Sequence, residues 1–277
     1  MIAFSGNNLL PVIRSAESVL FIFGAGMSVD SGIPDFRSSG GWYREDGPFA
    51  RIGRMAFIMF TRSELEADWN RAWSIWGYKQ AAVSRAKPHV GYMLLAEEAA
   101  KNPARVFVLT SNVDELAFRA GFPPEHVHRC HGSIFRLQCS EPCRRETWPM
   151  PDAPLAVDAE NFLVTGPLPH CPFCGAVARP NVYLFGDSEQ SYVWEAGQAT
   201  AERFSSWIAE RQNAELLIVE IGCGLGAPGL RHRAEQYLAE NPRSFLVRIN
   251  DSAVNGPSER FVGIQGKALH VLSGEAP

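Results

Sequence analysis

The chain has 277 residues, 46% of them hydrophobic and 20% charged, with 26 Lys and Arg against 30 Asp and Glu for a net charge of −4. This is the composition of a folded globular protein, one large domain or two unequal lobes, and it excludes a disordered chain. There is no cationic excess to grip a nucleic-acid backbone, and no apolar run approaches the roughly 20 residues of a membrane span, so neither partner is expected. Met1 to Pro11 lacks the basic-then-apolar pattern of a secretion leader, and a cytoplasmic setting is expected.

Ser18–Phe23 reads as a buried strand running into Gly24-Ala25-Gly26 and a short turn over Met27–Ser31. Residues 38–87 are rich in Trp and Arg, and Leu65, Trp69, Trp73 and Trp76 fall on one face of a helix over Glu64–Val83. Those tryptophans are read as core. Pro88 ends that stretch, and His89–Ala100 is a second amphipathic helix. Arg105–Thr110 is a buried strand, Val113–Ala120 a short helix closed by Gly121, and Val127–Leu137 an extended stretch. Residues 144–170 are proline-rich with little periodicity, as in a loop insert. Pro180–Phe185, Leu216–Ile221 and Ser244–Ile249 read as strands, Thr200–Asn213 and Leu230–Glu240 as helices, and Gly263–Leu272 closes the chain. Apolar strands alternating with helices imply an α/β fold with a parallel sheet covered on both faces.

Four of the six cysteines form two close pairs, Cys139-Ser-Glu-Pro-Cys143 and Cys171-Pro-Phe-Cys174. Two such knuckles converge on one tetrahedral Zn²⁺, and four thiolates leave no open position, so the metal would be structural. Disulfides and a redox pair are the rival readings. A cytoplasmic setting disfavours the first, and the second needs only one pair. Cys130 and Cys223 read as small buried hydrophobes.

Gly24-Ala25-Gly26 lies where a strand ends and a helix begins, the crevice where doubly wound sheets bind nucleotides. Val29 stands where a dinucleotide fingerprint has its third glycine, and no acidic residue follows at the ribose position. Taken alone, the turn is equally well an ordinary strand–helix connection.

The whole segment, Gly24-Ala-Gly-Met-Ser28-Val-Asp-Ser31-Gly32-Ile-Pro-Asp35-Phe-Arg37, resembles the NAD-binding signature of the sirtuins, NAD-dependent protein deacylases. Thr110-Ser-Asn112-Val-Asp114, His131-Gly132, the cysteine pairs, Arg179-Pro-Asn-Val-Tyr-Leu-Phe185-Gly186-Asp187 and Asn250 follow in the family's order, covering roughly residues 15–272. The chain thus resembles a divergent bacterial-type member. The resemblance implies an inverted Rossmann-like parallel sheet formed by residues 1–37, 88–135 and 179–277. It also implies a small lobe made of a helical insert (38–87) and a zinc-binding module (136–178), with NAD and acyl-lysine meeting between the lobes.

The implied activity is NAD-dependent protein-lysine deacylation, releasing nicotinamide and O-acyl-ADP-ribose, with an acylated-lysine protein or peptide as partner. His131 would be the general base, and Asn112 would position ribose and water. Asp114 would accept from the nicotinamide carboxamide, unless it simply caps the following helix. Gly24, Ala25, Gly26, Ser28, Asp35, Phe36, Arg37, Ser111, Gly222, Cys223, Asn250, Asp251 and Ala268 complete the NAD site that the resemblance implies, with Ser28 and Arg37 on phosphate and ribose. His126 and His128 are read as surface or core residues.

Several positions depart from the family. Ser111 replaces Gln, leaving a water to bridge to the ribose. Glu115-Leu116-Ala117 replaces Gly-Leu-His, and Gly222-Cys223-Gly224 replaces Gly-Thr-Ser, leaving backbone N–H groups to take phosphate. Leu225-Gly-Ala-Pro228-Gly-Leu-Arg231 departs from the substrate-pairing Leu-x-Val-x-Pro. Asp68-Trp69-Asn70-Arg71-Ala72 lacks the Tyr-x-x-Arg of acid-acyl specificity, which points away from desuccinylation. Two other outcomes stay open: an ADP-ribosyltransferase or NAD hydrolase, and a non-enzymatic NAD or ADP-ribose sensor. The retained His131 and Asn112 favour the deacylase.

Overall fold

The strands, in chain order, are β1 (Ser18–Phe23), β2 (Val106–Thr110), β3 (Val127–Arg129), β4 (Gly132–Cys139), β5 (Trp148–Pro149), β6 (Val157–Asp158), β7 (Leu163–Val164), β8 (Ala178–Val182), β9 (Leu216–Ile221), β10 (Ser244–Asn250) and β11 (Phe261–Gln265). They come from a computed structural model that describes residues 9–36, 39–52, 61–151, 155–158, 160–257 and 259–274. Two units emerge. The first comprises Met1–Asp35, Lys87–Cys130 and Ala199–Pro277, the second Phe36–Ala86 and His131–Gln198. Phe36 and residues 131–135 and 179–198, which the resemblance assigns to the nucleotide-binding part, group with the second unit.

In the first unit six strands form one parallel sheet of order β11-β10-β9-β1-β2-β3. Every residue of β1, β2 and β9 is buried, which is why these segments read as continuous apolar runs rather than alternating ones. Leu20, Ile22, Phe107, Ile218 and Leu246 pack with Phe204, Trp207, Ala234 and Leu238 from the helices Glu195–Ala209 and Gly229–Glu240. Full burial of each large apolar side chain contributes about 1.5–3 kcal/mol. One charged pair interrupts this core. Glu220 of β9 stands directly opposite Arg248 of β10, and both its carboxylate oxygens accept from the guanidinium at 2.8 Å. Arg248 also donates to Glu235 at 2.8 Å and to the Asn255 carbonyl.

The second unit holds the antiparallel sheet β5-β4-β8 and the hairpin β6-β7. The helix expected over Glu64–Val83 is two helices, Arg62–Ala67 and Trp69–Arg85. Asp68 breaks it: its backbone leaves the helical region, and its carboxylate caps the second helix by accepting from the Arg71 N–H. Leu65, Trp73 and Trp76 are buried as expected, whereas Trp69 is half-buried.

The other elements differ at their ends. The extended stretch within Val127–Leu137 divides into two strands: β3 ends at Arg129 in the parallel sheet, and β4 starts at Gly132 in the antiparallel one. Gly132 adopts a φ of 79°, and a Cβ there would collide with the Asn181 carbonyl and the Tyr192 hydroxyl. The strand expected at Pro180–Phe185 is Ala178–Val182. The Asp187 carboxylate takes the Leu184 N–H at 2.8 Å and bends residues 183–187 into a loop. The helix expected at Thr200–Asn213 spans Glu195–Ala209, and Val113–Ala120 shrinks to Leu116–Arg119.

Arg179 and Asp187 form a bidentate pair at 2.8 and 2.6 Å with side chains 1% and 0% exposed. Removing one partner strands a buried charge. Asp187→Ala is therefore expected to lower unfolding free energy by about 3–5 kcal/mol in chemical denaturation.

Candidate functional site: a glycine cradle at the sheet edge and a four-cysteine centre

The strand order reverses between β1 and β9, the place where an open α/β sheet offers a ligand crevice outside its carboxyl ends. The two turns leaving those strands touch through backbone alone. Gly24 N–H donates to the Ile221 carbonyl at 2.9 Å, Gly26 N–H to the Gly222 carbonyl at 3.0 Å, and Gly222 N–H to the Ile249 carbonyl at 2.9 Å. A Cβ on Gly24 would lie 2.5 Å from the Gly222 oxygen, and one on Gly26 2.6 Å from the Gly222 Cα. Gly222 itself has φ +68°, where an L side chain is strained. Ala25 is half-buried between the two glycines, at the start of the 3₁₀ turn Ala25–Ser31.

Beside this cradle lies a buried polar network. Asn112 Nδ2 donates to the Gly24 carbonyl at 2.9 Å and to Ser28 Oγ at 3.2 Å. Ser28 Oγ donates to Asp114 Oδ2 at 2.6 Å, and Asp114 Oδ1 accepts from the Leu116 N–H at 2.9 Å. Burial pushes the Asp114 carboxyl up, opposed by the bonds from Ser28 and Leu116 and by Arg119. Asp114 thus both caps the short helix and joins the network. A depression lined by Tyr92, Thr110, Asn112, Asp114, Glu115 and Arg129 opens here. Glu115 holds a left-handed φ of 62° and pairs with Arg129, whose guanidinium stacks over Phe118 at 4.7 Å.

The remaining expected NAD residues of this unit sit on the same sheet edge. Ser111 N–H donates to the Phe23 carbonyl at 3.2 Å. Asn250 ends β10 with its Nδ2 on the Ser252 carbonyl at 2.7 Å, and Asp251 is exposed beside it. Ala268 is buried at the start of the helix Ala268–Ser273. Cys223 is buried, and burial pushes its thiol well above the ordinary range. Burial likewise takes the Cys130 thiol to about 12, so neither offers a thiolate. His126 bonds the Val106 carbonyl at 2.8 Å and His128 lies against Phe204, and both are half-buried. Asp35 is half-buried, and Arg37 lies outside the described residues. Phe36, in the second unit, is exposed and stacks on Tyr43 at 5.7 Å.

His131 is also in the second unit. It is exposed, its carbonyl accepts from the Tyr183 N–H at 3.1 Å, and its ring lies 6.3 Å from that of Tyr183. It is followed by Gly132, whose position at the start of β4 leaves no room for a Cβ.

Two residues went unread in the sequence. Tyr92 shares the buried face of the helix Val90–Lys101 with Leu95, Ala96 and Ala99, and its hydroxyl meets Ser28 Oγ at 3.1 Å. A hydroxyl on an otherwise apolar helix face was the available signal. His89 caps that helix through Nδ1, which accepts from Gly91 N–H at 3.0 Å. Its Nε2 therefore carries the proton toward the Met27 carbonyl, also at 3.0 Å.

The four paired cysteines come together in the second unit. Their sulfurs all lie within 4.8 Å of one another, with Cys139–Cys174 at 3.5 Å and Cys143–Cys171 at 3.6 Å. No disulfide joins them. A zinc–sulfur bond of about 2.3 Å gives tetrahedral edges of about 3.8 Å, so the donor set fits Zn²⁺. Although burial opposes charge on it, backbone N–H groups of Cys174 and Phe173 bring the Cys171 thiol down to about 7. Gly175, at φ +77°, closes the knuckle through its N–H on the Cys171 carbonyl at 3.0 Å.

The model of the Sir2 family matches residues 24–223. An NAD-dependent protein deacylase of Pyrococcus furiosus is 30% identical over 265 residues, covering 94% of this chain and 92% of that protein. An NAD-dependent protein deacetylase of Bacillus subtilis is 33% identical over 177 residues, 64% of this chain and 66% of its own length. In fold, the chain is similar to a mutant Sir2 homologue solved with ADP-ribose, with a TM-score of 0.69 at 24% identity over 96% of this chain and 93% of that one.

Elemental analysis is expected to find one zinc per chain. Cys171→Ser or strong chelation should lower Tm by roughly 10 °C, because the metal's binding energy is folding energy. A zinc-free protein with these cysteines oxidised would overturn the assignment.

Proposed function

The chain belongs to the Sir2 family, and from that membership we infer that it is an NAD-dependent protein-lysine deacylase. NAD is the co-substrate. Nicotinamide leaves, the acyl group ends on ADP-ribose, and the lysine amine is freed. The observation that carries the reading is the side-chain-free cradle of Gly24, Gly26 and Gly222 at the switch point, with Asn112 bonded directly to it.

The roles are those the family resemblance implies, and the local chemistry suits them. The three glycines let the turns after β1 and β9 close on each other backbone to backbone, and the family resemblance assigns the pyrophosphate to this sheet edge. Asn112 is locked against Gly24 and Ser28, so it presents a fixed amide to the ribose. Asp114 spends one lone pair of each oxygen on Ser28 and Leu116 and keeps capacity for a carboxamide N–H. His131 supplies the imidazole, the side chain suited to taking a ribose hydroxyl proton near neutral pH. Asn250, Asp251 and Ala268 serve the adenosine end, Gly222 and Cys223 the phosphates. The acylated lysine is carried on a peptide or protein. A solved Sir2 variant is similar in fold to this chain, with a TM-score of 0.64, and its complex holds a p53 peptide and NAD. A cytoplasmic setting suits a metal centre built from reduced thiolates, and no described helix is long and apolar enough to cross a membrane.

Incubation with NAD and an acylated-peptide library, followed by mass spectrometry, tests the reading. O-acyl-ADP-ribose with deacylated peptide is expected. Free ADP-ribose or ADP-ribosylated protein alone would replace the reading with hydrolase or transferase, and binding without turnover with a sensor. His131→Ala is expected to lose deacylation by about 10²–10⁴-fold while NAD still binds in calorimetry. Wild-type turnover in that variant would remove His131 from the chemistry.

A further inference from the structure

Ser28 was expected on the cofactor, yet its hydroxyl is fully engaged by the protein. Ser28 Oγ lies 2.6 Å from Asp114 Oδ2, 3.2 Å from Asn112 Nδ2 and 3.1 Å from the Tyr92 hydroxyl. A serine hydroxyl has one proton and two lone pairs. The 2.6 Å contact has the length of a charge-assisted bond, which assigns the proton to the Asp114 carboxylate. The Asn112 amide N–H fills one lone pair. The other is left for Tyr92, whose phenol stays protonated because burial and the Asp114 charge push its pKa well above the ordinary value.

We propose that Tyr92 is a positioning residue for the nicotinamide end of the site: its O–H donates to Ser28, Ser28 donates to Asp114, and this one-way relay holds Asp114 as an oriented carboxylate acceptor. The Ser28 hydroxyl then has no bond left over for the dinucleotide. The assignment of Asp114 to the carboxamide rests on the deacylase reading, whereas the relay itself rests on the geometry. The groups facing Asp114 are Ser28 from the 3₁₀ turn, Tyr92 from the helix Val90–Lys101, and Asn112, Glu115 and Arg119 from its own segment. His89 backs the Tyr92 ring at 5.2 Å, and Phe23 packs against it edge-on at 5.5 Å.

Tyr92→Phe keeps those ring contacts and removes the hydroxyl with its bonds to Ser28 and Asn112. A weakened Ser28–Asp114 bond stabilises the carboxylate less, so its pKa rises and the acid limb of kcat moves to higher pH. The expected result is a roughly tenfold lower kcat, an acyl-peptide KM within about twofold of wild type, and an acid limb shifted up by about half a pH unit. Ser28→Ala should cost about as much, and Tyr92→Phe with Ser28→Ala no more than Ser28→Ala alone, since both cut one relay. A Tyr92→Phe enzyme with wild-type kcat and pH profile, or losses that multiply in the double variant, would overturn the relay. If the wild type releases no nicotinamide, the deacylase reading falls, and the same cycle on NAD affinity by calorimetry decides the relay. Equal losses that do not multiply support it, and wild-type affinity in Tyr92→Phe refutes it.

Discussion

The site depends on a contact between two main chains with nothing between them. Where β1 and β9 end side by side, Gly24 and Gly26 press on Gly222, and a methyl group on any of the three would collide with backbone, which has little room to yield. The hydrogen bonds from Gly24 to Ile221, from Gly26 to Gly222 and from Gly222 to Ile249 tie the ends of three strands into one edge. The result is a sheet edge built of main chain, whose position no side-chain rotamer can change.

This closeness sets conditions on the neighbours. Asn112, Ser28 and Asp114 are buried or half-buried, where each unmet polar atom would cost about 1–3 kcal/mol, and they meet that demand from one another. Backbone strain collects at the same place. Glu115 occupies a conformation that costs on the order of 1–3 kcal/mol outside glycine, and its ion pair to Arg129 at the end of β3 helps hold it there.

Much of the fold could be read from residue order because its signals were local. Leu216–Ile221 is apolar throughout save for Glu220, since a central parallel strand is covered on both faces, and the structure has that strand to the residue. The helix after Pro88 and the four-cysteine cluster followed from spacing as directly. What escaped depended on partners distant in the chain or on a side chain turned to another task. Asp68 splits a helix whose tryptophan periodicity runs on through it, because its carboxylate serves as a cap rather than a helical face. Asp187 shortens a strand by reaching back to Arg179, and neither residue type announces that pairing. In the site, the cysteines were legible from their spacing, whereas the glycine turn, Asn112 and Asp114 stood out only through the family resemblance. Tyr92 was not, because helical spacing assigns it to the core, where its ring does lie. The hydroxyl matters only through Ser28, 64 positions away.

The Glu220–Arg248 pair carries a consequence for how strands find their alignment. Two parallel strands as largely apolar as β9 and β10 have little else in their side chains to distinguish one offset from another. A slip of one residue would leave the two charges on opposite faces of the sheet, each stranded from its partner at a cost of several kcal/mol. The pair therefore acts as a key that admits a single offset. Gly222 and Asn250 each follow their charged residue by two positions, so that same key sets them level with each other at the carboxyl edge of the sheet.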